Sequence, residues 1–224
     1  MVRKAPKRAS RKPGRPVETD ISQRERLLEA ACSHLATAGA ESLTLRGVAL
    51  RAGVSPSLAN YYFVDRGGLI DAVRNERLLP LSRALCRSMQ ERRGDPGGGI
   101  AAFIQNFHGV AARNPWFAPM LFLHTPRLRE DEPGRPVDAL APIVELLGQL
   151  VTAAQQVGAV RHDLRVENAV LSLLSLCAFA YVARDTLATQ LGIDRGLGGA
   201  PALTLHQMAI LRSGLQSPRQ EARP

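Results

Sequence analysis

Apolar residues recur along this chain at helical spacing from about residue 22 to residue 215, and no stretch alternates apolar with polar residues at a period of two. The pattern predicts an all-α protein of about nine to ten helices. Ser22 and Glu25 read as a capping box ahead of the stripe Leu27, Leu28, Ala31 and Leu35, which Gly39 stops. Thr44 then caps a two-turn helix with Leu45, Val48, Ala49 and Ala52 on one side; Gly53 ends it in the left-handed conformation that a glycine adopts at little steric cost. Ser55 restarts helix as an N-cap, with Pro56 at the first helical position, where a missing N–H does no harm. In this short helix Ala59 and Phe63 stand four apart and face inward, which leaves Pro56, Ser57, Asn60 and Tyr61 facing outward. A further stripe runs from Leu69 to Met89, and Pro80 is expected to kink or break it. Gly94 to Gly99 reads as a loop; it lacks the Lys-Ser/Thr of a phosphate-binding P-loop. Beyond it the spacing predicts a helix through Ile100, Phe103, Ile104, Phe107 and Val110, a short helix opened by Asn114-Pro115, and a polar connection from Pro126 to Pro136. Two long helices follow, from about Asp138 to Val157 and from about Val166 to Leu187, and a last one runs from Leu203 to Leu215.

The run from Ala52 to Arg66 carries the most specific signal. Ala52, Gly53, Val54 and Ser55, then Tyr61, Tyr62, Phe63 and Arg66, resemble the helix-turn-helix of the TetR family of bacterial transcriptional repressors. The departures from that family's usual run are Ala59 for a leucine, Asn60 for an aromatic, Tyr62 for a histidine, Arg66 for a lysine, and Gly67-Gly68 in place of a good helix start. The resemblance implies a three-helix DNA-binding headpiece on a helical body that binds an effector and dimerises. Carried over position by position, it implies base and groove contacts at Pro56, Ser57, Asn60 and Tyr61, and phosphate contacts at Thr44, Ser55, Tyr62 and Arg66. An amide at position 60 suits adenine, which presents a donor and an acceptor side by side in the major groove. The competing possibility is a helical hairpin that buries its own face and touches nothing.

Charge sharpens this picture once it is located. Lysine and arginine exceed aspartate and glutamate by 29 to 20, a net +9, and Arg3, Lys4, Lys7, Arg8, Arg11, Lys12 and Arg15 all precede the first acid, Glu18. Seven of the nine excess charges therefore sit in a segment with no apolar periodicity, which suits a nucleic-acid arm on a nearly balanced body. Within it Pro13-Gly14-Arg15-Pro16 looks like the core of a minor-groove hook that would place Arg15 in an A·T-rich groove. A solubilising tail with long-range phosphate attraction is the equal alternative. The domain reading is a disordered basic tail over 1–19, a helix-turn-helix domain over 20–66, an effector-binding and dimerisation domain over 67–215, and a disordered tail over 216–224. Cys32, Cys86 and Cys177 are odd in number and widely separated, with no CxxC pair, and read as free thiols in a reducing compartment. With no apolar run long enough to span a bilayer, a cytoplasmic location and no membrane partner are expected.

Aromatic residues make up 4% of the chain, yet four of its six Phe and its one Trp fall between Phe103 and Phe122. Such a cluster is either a locally built core or the wall of an apolar cavity. The family resemblance implies an effector cavity in these helices, with Phe103, Phe107, Trp116, Phe117, Met120, Cys177 and Tyr181 as its walls and His124 as a polar contact. The helix from Val166 is apolar almost all round and so needs covering on two sides. By order, it and the helix before it match the family's dimer interface, which points to Leu147, Leu150, Leu171, Leu174 and Ala178. The leading expectation is a homodimeric repressor that binds double-stranded DNA at a palindromic operator and is released by a small hydrophobic effector, with no cofactor and no metal. The alternative is a sequence-indifferent architectural DNA-binding protein that works through its basic tail. An enzyme is not expected, since the chain has no GxSxG, no HExxH and no paired carboxylates on one helix face.

Overall fold

The computed structural model describes residues 18–123, 138–192 and 200–215, and all regular structure among them is helical. The all-α expectation therefore holds. The first helix, α1 (Glu18–Ala38), starts ahead of the capping box expected at Ser22; it ends before Gly39, whose φ of 72° turns the chain. Two short helices follow, α2 (Leu45–Ala52) and α3 (Pro56–Phe63), and close on α1 through Leu27, Leu28, Ala31, Val48, Ala49 and Phe63, all of them buried.

The next rod decides how this headpiece meets the body. Its first part is α4 (Arg66–Val73), its last is α5 (Leu79–Gln90), and a π turn over Arg74–Leu78 joins them without a break. Pro80 does not break the rod, but the regular α-helix gives way to the π turn just ahead of it, where a kink or a break is expected from the sequence. Proline lacks an N–H, and its ring crowds the carbonyl four residues back, here that of Glu76. In the π turn the Leu79 N–H reaches the Arg74 carbonyl, five residues back, and this wider turn absorbs the proline at the second position of α5.

The body is built around α6 (Pro96–Arg113), which packs on α5, α8 (Ala141–Gln156), α11 (Ala200–Leu215) and α9 (Val166–Val182), the last packing on α8 as well. Pro96 to Gly99, expected as loop, form the first turn of α6: Asp95 caps it by accepting from Gly98 N at 2.9 Å. The glycine at 99 is also steric, since a Cβ there would stand 2.9 Å from a Leu150 methyl, so α6 and α8 close only over a missing side chain. Two bounds differ from the spacing-based reading. Trp116 precedes α7 (Phe117–Phe122), which opens two residues after Asn114-Pro115. The long penultimate helix stops at Val182, and after Ala183 the chain continues as α10 (Arg184–Leu191).

Candidate nucleic-acid interface and the body behind it

The α2–turn–α3 unit is held by local bonds that its sequence dictates. Thr44 Oγ1 accepts from Gly47 N at 3.1 Å, which leaves the hydroxyl proton to donate outward. Gly53 adopts φ 66°, ψ 39°, and its N–H closes on the end of α2. Ser55 Oγ accepts from Leu58 N at 3.3 Å and lies 3.0 Å from Ser57 Oγ, so the start of α3 is ordered before any partner arrives. Ala59 and Phe63 are buried, while Pro56, Ser57, Asn60 and Tyr61 are exposed. Tyr61 is 78% exposed, its ring braced edge-on against Tyr62 at 5.3 Å. Tyr62 is half-buried against the core, which leaves it less free to reach outward.

Arg66 has a structural partner that its sequence did not reveal, donating to the Ala40 carbonyl at 2.8 Å and so tying α4 to the end of α1. Arg26 donates likewise to Ala52 O, and Arg51 to Ser33 Oγ at 2.8 Å. The exposed Arg46, in the first turn of α2 beside Thr44, is a cation on this side of the headpiece that the motif did not single out. Behind the unit, Arg24 forms two bonds to Glu76 at 2.6 and 2.5 Å and lies 5.3 Å from the centre of the Phe63 ring. Arg77 pairs with Glu25 and, at 3.5 Å, with Glu29. Both pairs link α1 to the π turn, and the Arg24 guanidinium holds the Glu76 carboxyl below its ordinary range.

Residues 27–73 match the family described as bacterial regulatory proteins, tetR family. The headpiece is thus that of the TetR family. It is 29% identical over 113 residues to the HTH-type transcriptional regulator BetI of Paraburkholderia xenovorans (strain LB400), a match covering 48% of this chain and 58% of that protein. The chain thus spans a little over half the length of that curated relative. In fold, the likeness to solved structures extends much further. The ketosteroid transcriptional regulator KstR2 of Mycobacterium tuberculosis superposes with a TM-score of 0.71 at 16% identity, over 88% of this chain and 96% of that one. The regulator FadR from Bacillus subtilis, solved with stearoyl-CoA, superposes at 0.60 with 15% identity, over 85% and 98%.

In the body the ring cluster is closed on itself. Phe107 lies 5.6 Å from Phe103, 5.8 Å from Phe117 and 6.4 Å from Tyr181, centre to centre, and Trp116 packs on Phe117 at 6.5 Å. Phe103, Phe107, Phe117, Met120 and Cys177 are essentially inaccessible. Of the residues expected to wall a cavity, Tyr181 alone also lines one of the larger openings described for this fold, a space of about 400 Å³ between α1, α7 and the α9–α10 junction. At the centre of the packed region His108 is fully buried, with Nδ1 2.9 Å from the Tyr181 hydroxyl and Nε2 2.7 Å from Gln207 Oε1. Gln207 Nε2 donates to Leu176 O at 2.7 Å, which turns its oxygen toward the imidazole; the proton therefore sits on Nε2, and Nδ1 accepts from Tyr181. Burial lowers the His108 pKa and pushes the Tyr181 and Cys177 groups up to about 12.

The interface expectation divides. Leu147, Leu150, Leu174 and Ala178 are buried in the protomer's own core, so they have no surface left to give a second subunit. Leu171 is 64% exposed and shares the outer side of α9 with Phe179, and Val144 is an exposed branched apolar residue of α8. Arg15 and His124 lie outside the described residues. Among those residues no helix is long and apolar enough to cross a membrane, and no His, Cys, Asp and Glu side chains group as a metal site would require.

Proposed function

We propose that the chain is a dimeric, ligand-responsive repressor that reads a palindromic duplex operator with α3 and releases it when a small apolar effector binds. The observation that carries this reading is the pre-ordered α2–turn–α3 unit, which presents Ser57, Asn60 and Tyr61 to solvent on a helix whose other face is locked into a core. Polar and aromatic groups held rigidly on so short a helix match what enters a major groove, where hydrogen bonds and methyl contacts to base edges carry sequence information. Thr44, Ser55 and Arg46 supply the hydroxyls and charge that would set register on phosphates, and Arg15 would add a contact from the arm. Tyr62 and Arg66 enter this proposal as supports of α3 and α4. The outer faces of α8 and α9, with Val144, Leu171 and Phe179, are the proposed seat of the second subunit. The relative's description as a transcriptional regulator and the stearoyl-CoA held by the FadR neighbour support the two halves of the reading.

Selection of bound duplexes from a random library tests it. The expected product is an inverted repeat whose half-sites lie about 34–36 Å apart along the helix axis, or a multiple of that. Tyr61→Ala should weaken binding to the selected duplex by about 1–3 kcal/mol and change random-duplex binding little. Failure to enrich any sequence, with equal affinity for all duplexes, would replace this reading with that of an architectural binder working through the basic tail.

A further inference from the structure

The turn that closes α3 carries a side chain that the fold does not explain. The Val64 N–H still bonds the Asn60 carbonyl at 2.9 Å, as in a helix, but its backbone stands at φ 62°, ψ −57°, and the next N–H, that of Asp65, donates back to Phe63 O at 2.6 Å. This is a γ-turn of the rare form with a positive central φ, in which a β-branched side chain is strained. The backbone path has a structural reason, since it delivers Asp65 to cap α4 through Gly68 N. A glycine at position 64 would follow the same path without strain, so the turn accounts for the positive φ and not for the valine. Packing does not account for it either. Val64 is 81% exposed, and the three most exposed large apolar side chains of the described residues, Leu50, Tyr61 and Val64, all lie in the headpiece. Strain and apolar exposure thus coincide in one residue, and neither is offset within the protomer. Strained residues concentrate at contacts with a ligand, and exposed apolar groups that cluster mark a surface for a partner.

We infer that Val64 is a specificity-determining residue that recognises thymine by packing on its C5-methyl group in the major groove, an inference that rests on the reading of α3 as the helix that enters the groove. Position 64 continues the exposed row Ser57, Asn60 and Tyr61 at the spacing of three and four residues that sets neighbours on one side of a helix. Eight residues of helix span about 12 Å, close to the width of the major groove, so Ser57 and Val64 meet opposite ends of one half-site. Thymine is the base whose major-groove edge carries a methyl group, and an isopropyl group, having no donor or acceptor, discriminates between bases only through such a contact. The branch at Cβ suits the task, because it leaves few rotamers to be lost when the contact forms. The Asn60 amide, one turn earlier, suits adenine.

Uracil, which is thymine without its methyl group, tests the contact with the full chain. In the duplex selected from the random library, each thymine is replaced by uracil in turn, symmetrically in the two half-sites. At one position the replacement should weaken wild-type binding about fourfold or more per half-site, the worth of one buried methyl group. Val64→Gly should bind the thymine duplex more weakly by a similar factor, and at that same position it should lose less than about twofold further, the signature of two groups that touch. Val64→Asn, a residue that tolerates a positive φ better than valine does, should repeat this result. Affinity for random duplex should stay within about twofold in both variants. Val64→Gly should also raise Tm, by about 2 °C or more, because the strain is relieved. A variant that is more stable yet binds its duplex less well is the opposite of what a valine held for the fold would give. Uracil losses that are the same in wild type and variants, equal losses on random duplex, or a Tm that does not rise in Val64→Gly overturn the thymine contact and leave sequence recognition by the rest of α3 standing. If the library yields no preferred sequence, no base is read, and the operator reading falls together with this one.

Discussion

At residue scale, Gly68 shows how a position that looks weak can be required. Two glycines at the start of a helix cost conformational entropy, and from the sequence they are a poor substitute for good helix formers. In the structure a Cβ at position 68 would stand 2.2 Å from the Phe63 carbonyl oxygen, because the chain turns from α3 into α4 almost on top of itself. The turn is closed by Asp65, whose N–H donates to Phe63 O at 2.6 Å and whose carboxylate accepts from Gly68 N at 2.8 Å. At Gly67 the nearest atom is the end of the Asp65 side chain, at 3.2 Å, and that side chain can give way. Gly68→Ala should therefore destabilise the protein by about 1–3 kcal/mol, and Gly67→Ala should lie within about 1 kcal/mol of wild type, as chemical denaturation would show. Equal effects would mean that the turn relaxes freely. Val64 belongs to the same turn: its φ of 62° is strained for a β-branched side chain, and no inspection of its neighbours in sequence announces it.

At the scale of elements, α6, α9 and α11 are joined in the apolar interior by His108, Tyr181 and Gln207. The imidazole must be neutral there, since Nδ1 accepts from Tyr181 and burial disfavours its charge. Its folded pKa is lowered, so in the window between that value and the ordinary one near 6.5 the unfolded chain binds more protons than the folded one. The contribution is thus fully present above about pH 6.5 and is lost as pH falls toward the folded pKa. Thermal melting should show a Tm that drops between pH 7.5 and 5.5, and His108→Asn should flatten that dependence while lowering Tm throughout. A wild-type slope that survives the substitution would assign the proton uptake to other groups. The Arg24–Glu76 pair acts at this scale too. Partly exposed, it adds at most about 1 kcal/mol to stability, and its consequence is geometric: it anchors α1 to the π turn.

At the scale of the molecule, the proposed dimer places two α3 helices on one duplex through the outer faces of α8 and α9. Leu171 and Phe179 are 64% and 60% exposed in the protomer, so charges there leave its core intact. The double substitution Leu171→Glu and Phe179→Glu should yield a folded monomer by light scattering, because a carboxylate buried between subunits would have no partner. Duplex affinity should fall with it, since two half-sites would no longer be engaged together. Leu174→Glu, which an interface reading from sequence treats as equivalent to Leu171→Glu, should instead unfold the chain, Leu174 being buried in its own protomer.

What the sequence determined by itself was local. The caps at Thr44 and Ser55, the left-handed turn at Gly53, the inward pair Ala59 and Phe63 and the exposed face of α3 all follow from bonds and steric limits that span at most five residues. The likeness of the headpiece to the TetR family was legible for the same reason, since the matched segment, residues 27–73, centres on that unit. Tertiary structure decided whatever depends on which of two apolar sides meets which neighbour. On α9 both sides are apolar, so periodicity alone made Leu171 and Leu174 equivalent, and packing against α8 separated them. The ring cluster was equally consistent with a core or a cavity wall; only the placement of α7 and α9 closed Phe103, Phe107 and Phe117 on one another and left Tyr181 at the edge of an opening. Pairings between residues far apart in sequence, Arg24 with Glu76, Arg66 with Ala40, Arg184 with Ala36, have no local signature, because a flexible cation's partner is set by where the backbone brings the acceptor.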